Sequence, residues 1–126
     1  MNFLINTLLS LLFSISSILV IPFDDIEKAF EQANAETIMS MSKAKTLISI
    51  ENDEAAYSKS QGTLVLNEFF ESHPPKSFKF DFKGKESGAT SFAVGTYVSD
   101  EVFRVSLKLK KMSKDFAIES ITITRN

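Results

Sequence analysis

The sequence predicts an α+β domain in which helices at the front of the chain pack into the concave face of a strongly curved antiparallel sheet. Three observations carry this. Apolar residues recur at helical spacing as far as His73. From Lys76 onward they alternate with polar residues at period two, in strands joined by short polar turns. The last of these strands breaks phase once, and such a break bends a sheet. Helices followed by a run of strands is the α+β layout.

The chain opens with a stretch unlike the rest. Its first charged side chain is Asp24, so all 14 Lys+Arg and all 16 Asp+Glu fall after Phe23. Phe3 to Phe13 is mostly apolar, Ser14, Ser16 and Ser17 dilute the run, and Ile18 to Ile21 closes it before Pro22. A short apolar core followed by small residues describes a secretory signal peptide over residues 1–21, and Ser14-Ile15-Ser16 offers the small-x-small pattern that signal peptidase reads. An uncleaved anchor is the alternative, because about twenty uncharged residues just span a bilayer. A buried first helix is the third reading. Under the first two, residues 22–126 form one domain outside the cytoplasm, in the periplasm or beyond the cell, free or held at the membrane.

Pro22-Phe23-Asp24-Asp25 reads as a helix start, with Asp24 as cap and Glu27 as its capping-box partner. Phe23, Ile26, Phe30 and Ala33 then form the apolar face, and Asn34 is the stop. Residues 35–41 read as a short second helical piece. Residues 45–50 are β-rich, with Thr46, Ile48 and Ile50 on one side, and Asn52-Asp53-Glu54 is a turn. Ser58 with Gln61 is a second capping box, opening a helix whose face is Val65, Leu66, Phe69 and Phe70. His73-Pro74-Pro75 ends it, since proline cannot continue a helix and holds its predecessor extended.

Four strands follow. Phe78, Phe80 and Phe82 alternate with lysine and aspartate. Gly84–Gly88 is a loop. In the next strand the larger set, Phe92, Val94, Thr96 and Val98, is expected to face the core, leaving Ala93, Gly95 and Tyr97 outside. Ser99-Asp100-Glu101 turns the chain into Phe103, Val105, Leu107 and Leu109, and residues 112–115 turn it again. In the last strand Phe116 and Ile118 are even-numbered while Ile121 and Ile123 are odd. Keeping all of them on the core side requires one extra residue near Glu119-Ser120, a β-bulge.

Composition sets firm limits. The absence of Cys rules out disulfides, thiolate metal sites, a cysteine nucleophile and a cysteine-linked lipid anchor. A single His rules out a multi-histidine metal site, and a formal charge of -2 argues against nucleic acid as partner. Roughly 105 residues beyond the leader bury enough surface to fold without a staple.

The layout resembles the nuclear transport factor 2-like superfamily of cystatin-like folds. Several stretches resemble more closely one family of exported bacterial proteins, domain of unknown function 4783. They are Tyr57-Ser58-Lys59-Ser60-Gln61, Phe69 to Phe78 with its His-Pro-Pro, Ala93-Val94-Gly95-Thr96, Phe103-Arg104-Val105, and Ile118 to Ile123. Their order and spacing cover nearly all of residues 22–126. The chain departs from the pattern in a turn after Leu109 that lacks glycine and in a leader without lysine. The resemblance implies a cone-shaped fold and export. It implies no activity and no cofactor.

Candidate site residues follow from the same layout. His73, Tyr57 and Thr96 are the polar groups expected near the mouth of the cone. His73 is the only imidazole, the usual suspect for acid–base work, but at a helix C-terminus it is better explained as a cationic cap. Ser58 is explained as a cap and Tyr57 as a plug over the core. Enzymes of the superfamily place Asp, His or Tyr inside the cone, whereas the expected inward positions here, Phe78 to Phe82, Phe92, Val94 and Phe103 to Leu109, cannot move a proton. Arg104, Lys108, Lys110, Lys111 and Lys114 make a basic stripe, read as a solvated face or as the contact for an anionic partner. Ala93, Gly95 and Tyr97 are read as a flat outer patch, either a homodimer interface or the floor under a loop. Two functions remain. One is a non-catalytic binding or interaction domain, with a filled cone or a pocket for a small apolar ligand. The other is an isomerase- or dehydratase-type enzyme using a pocket in the cone.

Overall fold

The computed structural model describes residues 20–126, and residues 1–19, which carry most of the segment read as a signal peptide or anchor, lie outside them. Three helices, α1 (Phe23–Glu31), α2 (Ala35–Ser40) and α3 (Lys59–Ser72), pack on a six-stranded sheet. The strands are β1 (Ser42–Ile50), β2 (Asp53–Ser58), β3 (Ser77–Lys83), β4 (Thr90–Val98), β5 (Val102–Lys111) and β6 (Phe116–Arg125). Their order across the sheet is β2-β1-β6-β5-β4-β3. All pairs are antiparallel except β1 with β6, so the sheet is mixed rather than wholly antiparallel. None of the described helices is long and apolar enough to cross a membrane.

The capping signals divide. Ser58 and Gln61 form the full reciprocal box at α3. At α1 the box does not form, because the amide of Ile26 bonds to the carbonyl of Pro22 and makes Pro22 the cap. Asp24 and Asp25 then lie in the first turn, where the helix dipole favours them. Glu27 is released to accept from the backbone amide of Phe80, 3.0 Å away, which clips α1 to β3. Asn34 does more than stop α1. Its side chain caps α2 by accepting from the Thr37 amide.

The phase break in β6 is a bulge. Lys108 pairs with Ser120 and Leu109 with Ile118, leaving Glu119 as the extra residue. Phe116, Ile118, Ile121 and Ile123 are accordingly all buried. The strand assigned from residue 45 begins at Ser42, and the turn expected at Asn52–Glu54 is a tighter one at Glu51–Asn52, after which β2 begins at Asp53 and pairs back with β1. A second bulge near Asp81 lies in β3, where Phe80 pairs with Gly95 but Phe82 pairs with Val94. It turns Phe82 outward while Phe78 stays fully buried.

The faces of β4 are the reverse of the expectation. Ala93 and Tyr97 are fully buried, whereas Phe92 is 53% exposed. The cause is volume. The ring of Phe78 lies across Gly95 and stacks on Phe30 of α1, with centroids 4.8 Å apart. A Cβ on Gly95 would sit 2.5 Å from Phe78 Cζ and 2.9 Å from the Lys79 carbonyl oxygen. The helices crowd this part of the concave face with rings, so β4 presents its smallest residues there. Ala93, Gly95 and Tyr97 are therefore core, and the outer patch assigned to them does not exist.

Candidate functional site

The strand geometry gives the sheet two unlike ends. At one end the end of α3, the β4–β5 turn, the β1–β2 turn and the last residues of β6 come together. A cleft of about 300 Å³ opens there, between α3 and the β1–β2 turn. Its apolar wall is Ile50, Val65 and Phe69; Glu51, Asp53 and Glu68 bring carboxylates to it, and Tyr57, His73 and Arg125 complete it.

Each side chain arrives for a local reason. After the Glu119 bulge the odd positions of β6 face inward, so Arg125 continues the row of Ile121 and Ile123 out to the mouth. Its guanidinium pairs with Glu51 and Glu101 and lies 5.9 Å from the centre of the Phe103 ring. The β1–β2 turn is left-handed at both Glu51 and Asn52, with φ of 50° and 72°. That two-residue turn matches the twist of its strands but strains a residue other than glycine or asparagine. Glu51 keeps it through its ion pair with Arg125 and the hydrogen bond its backbone N–H donates to the Ile123 carbonyl.

His73 is the C-cap of α3. Its ring is not on an exposed terminus. The side chain is only 18% exposed, packed against Phe69 and Phe103. Its Nδ1 lies 3.1 Å from the Asp100 carboxylate. That hydrogen bond is the main reason the Asp100 carboxyl is held below its ordinary value. The Tyr97 hydroxyl donates to the His73 carbonyl, and burial, with the Asp100 charge second, pushes the Tyr97 phenol well above its usual range. Ser99 Oγ donates to the Pro74 carbonyl at 2.6 Å. The β4–β5 turn thus fixes the His73-Pro74 segment from several sides.

The three residues assigned to the mouth therefore separate. Tyr57 and His73 both line the cleft. Thr96 does not; it lies on the outer face of β4, where its hydroxyl donates to Asp81 at 2.6 Å. Asp100, Glu101, Glu51 and Arg125 were missed. The turn residues carried no pattern, but the parity of β6 beyond the bulge already places Arg125 on the inner row.

Chemically, the cleft can hold a small molecule with an apolar part against Phe69 and Val65 and a polar part toward the carboxylates. Ligand atoms of His73, Asp100 and Glu101 lie within 4.8 Å of one another, close enough to share a cation. Asp100 is engaged by His73 and Glu101 by Arg125, so a cation would have to displace both. On the outer face, Arg104 and Lys110 are exposed, while Lys108 pairs with Glu119 at 3.3 Å.

The fold has solved relatives. A DUF4783 family protein from Bacteroides ovatus superposes with a TM-score of 0.78 at 24% identity, over 84% of this chain and 96% of that one. One from Bacteroides uniformis gives 0.78 at 22% identity, over 85% and 98%. An NTF2-like protein of unknown function from Silicibacter pomeroyi gives 0.61 at 8% identity, over 82% and 89%, which places the fold in the nuclear transport factor 2-like group. A search of curated proteins finds no match. Residues 23–124 match the family model of DUF4783, a domain of unknown function, and the chain belongs to that family.

Proposed function

We propose that this is an exported, non-catalytic binding domain whose ligand enters the cleft between α3 and the β1–β2 turn. The observation that carries the reading is the state of the cleft's titratable groups. Arg125 is held by Glu51 and Glu101, His73 is held by Asp100, and Glu51, Asp53 and Glu68 are all exposed. No described acid or base there is both buried and unpartnered. General acid–base work needs a group with a tuned affinity for protons and an enclosed substrate.

The lining suggests the ligand class. Once Arg125 is neutralised by its partners, the remaining carboxylates favour a small molecule bearing a positive group beside an apolar one. Thermal-shift titration with aryl- and alkylamines and the matching carboxylic acids tests this. Amines should stabilise and acids should not, and Val65→Trp, which fills the cleft, should abolish the effect. Amines that bind equally well to Val65→Trp would remove the cleft from the account. Export rests on the uncharged leader and its serine-rich end, and the intact mass of protein recovered from the envelope checks it. Cytosolic protein retaining Met1 contradicts it.

One observation favours the enzyme reading. A histidine oriented by a carboxylate, lining a cleft with a tyrosine, is the arrangement that activates a general base. Turnover of any substrate that His73→Gln abolishes while the fold is retained would establish it.

A further inference from the structure

Away from the cleft, the convex face of β3–β5 carries a surface that the fold does not use. Phe82 is 56% exposed and Phe92 53%. The Asp81 bulge turns Phe82 outward beside Val94, and Phe92 sits diagonally from it on the same face. Cations surround them. Lys108 is the direct cross-strand partner of Phe92, Lys110 that of Thr90, Arg104 and Lys79 those of Thr96. The carboxylates of this face are occupied, Asp81 by the Thr96 hydroxyl and Glu119 by Lys43 and Lys108. Lys85, exposed in the β3–β4 loop, adds a cation near the ends of these strands.

We infer that this face rests on an anionic lipid surface, with Phe82 and Phe92 entering the headgroup region and the lysines meeting lipid phosphates. Exposed aromatic rings within a basic rim are the composition of a peripheral membrane contact. The place where the chain enters the fold agrees. Nineteen residues without a charged side chain precede Val20, and the Ile21 amide is pinned to Glu86 of the β3–β4 loop, next to the strand ends that carry Phe82 and Phe92. The apolar segment therefore joins the domain at the corner that carries this patch. A second copy is a poorer occupant, since a two-fold contact would set the Arg104–Lys108–Lys110 stripe against itself. The convex curvature also suits a deformable headgroup layer better than a rigid partner.

Binding of the full chain to phosphatidylcholine vesicles, with and without phosphatidylglycerol, tests the inference. The leader has no charged side chain, so a preference for anionic lipid reports on the domain. The expected preference is about tenfold or more, screened by added salt. Lys79→Glu with Lys110→Glu should abolish the preference, and Phe82→Ser with Phe92→Ser should weaken binding to both vesicles. These positions are exposed, so all variants should melt as wild type does. Equal affinity for the two vesicles, or a preference that survives the charge reversals, overturns the inference. So does a dimer in sedimentation that Phe92→Ser dissociates without changing vesicle binding, which would assign the face to a second copy.

Discussion

The hydroxyl of Tyr97, one residue from the end of β4, donates to the backbone carbonyl of His73 at the end of α3. It ties the end of the main helix to the strand beneath it and satisfies the carbonyl of the C-cap residue. The same tyrosine lies among Phe69, Phe70 and Phe103, with ring centres 5.3 to 6.1 Å away. Core packing and helix capping thus meet in one side chain.

Tyr97→Phe should keep the rings packed and lose the hydrogen bond, costing about 1–2 kcal/mol through the unsatisfied carbonyl. Stability at high pH should separate the two proteins. The Tyr97 phenol is raised in the folded state, by burial first and by the Asp100 charge second. Its contribution is then complete below the unfolded value of about 10 and is lost as pH rises toward the folded one. Urea melts at neutral pH and above pH 10 should show wild type losing more than Tyr97→Phe. Parallel losses would mean that the phenol is not linked to folding.

The reversed faces of β4 give a contrast between two phenylalanines. Phe103 is fully buried against Phe69 and Tyr97. Phe103→Ala should cost about 3–5 kcal/mol, whereas Phe92→Ala should stay within about 0.5 kcal/mol. Denaturant midpoints would check this, and a large loss at Phe92 would restore the original assignment of faces.

Gly95 is required by the close approach of the Phe78 ring rather than by its backbone angles. Gly95→Ala should cost about 1–3 kcal/mol by forcing that ring out of its rotamer. Gly88→Ala, where the nearest neighbouring atom would lie 3.5 Å away, is the control and should melt as wild type does.

The bulge at Glu119 was legible because it is a matter of parity: four large apolar residues cannot share one face of β6 without an extra residue. The α3 capping box and the helix stop at His73-Pro74-Pro75 were legible for the same kind of reason, each being local chemistry at fixed spacing. The faces of β4 were not. Both alternating sets are plausible cores by hydropathy, and the choice was made by the volume of Phe30 and Phe78, which belong to other elements. The cleft was half legible. Tyr57 and His73 stood out by residue type, while Asp100, Glu101 and Glu51 sit in turns whose approach depends on the whole sheet closing.

Glu119 also carries a charge argument. Burial raises its carboxyl, but hydrogen bonds from Lys108 and Lys43 outweigh this and hold it below the ordinary value. Glu119→Ala keeps the extra residue and should cost no more than about 1 kcal/mol, the scale of a surface ion pair. Deleting Glu119 removes the extra residue and restores strict alternation, so Phe116, Ile118, Ile121 and Ile123 still share the core face. The variant should keep a cooperative melt at a lowered midpoint, because the bend is lost. Loss of cooperative unfolding would mean that the bulge does more than bend the strand.

His73 and Asp100 give the last test, in which packing and charge make separate predictions. The ring of His73 lies 4.8 Å from Phe103 and 5.3 Å from Phe69, so His73→Gln loses aromatic contact as well as the hydrogen bond to Asp100. The cost at neutral pH should be about 1–2 kcal/mol. Asp100→Asn keeps the ring in place and should cost less. The acid side distinguishes charge from packing. The Asp100 carboxyl is depressed in the folded state chiefly by its bond to His73. A depressed carboxyl contributes stability that is present above the unfolded value of about 3.9 and is lost as pH falls through the folded one. Wild type should therefore lose stability below about pH 4 more steeply than Asp100→Asn, in denaturant melts at matched ionic strength. His73→Gln should be flatter too, because the main cause of the Asp100 shift is gone. If both variants track wild type down to the acid limit, the His73–Asp100 contact is a packing neighbour with no charge linkage. The pair would then have no electrostatic means of orienting a base in the cleft, and the enzyme reading would lose the one observation that favours it.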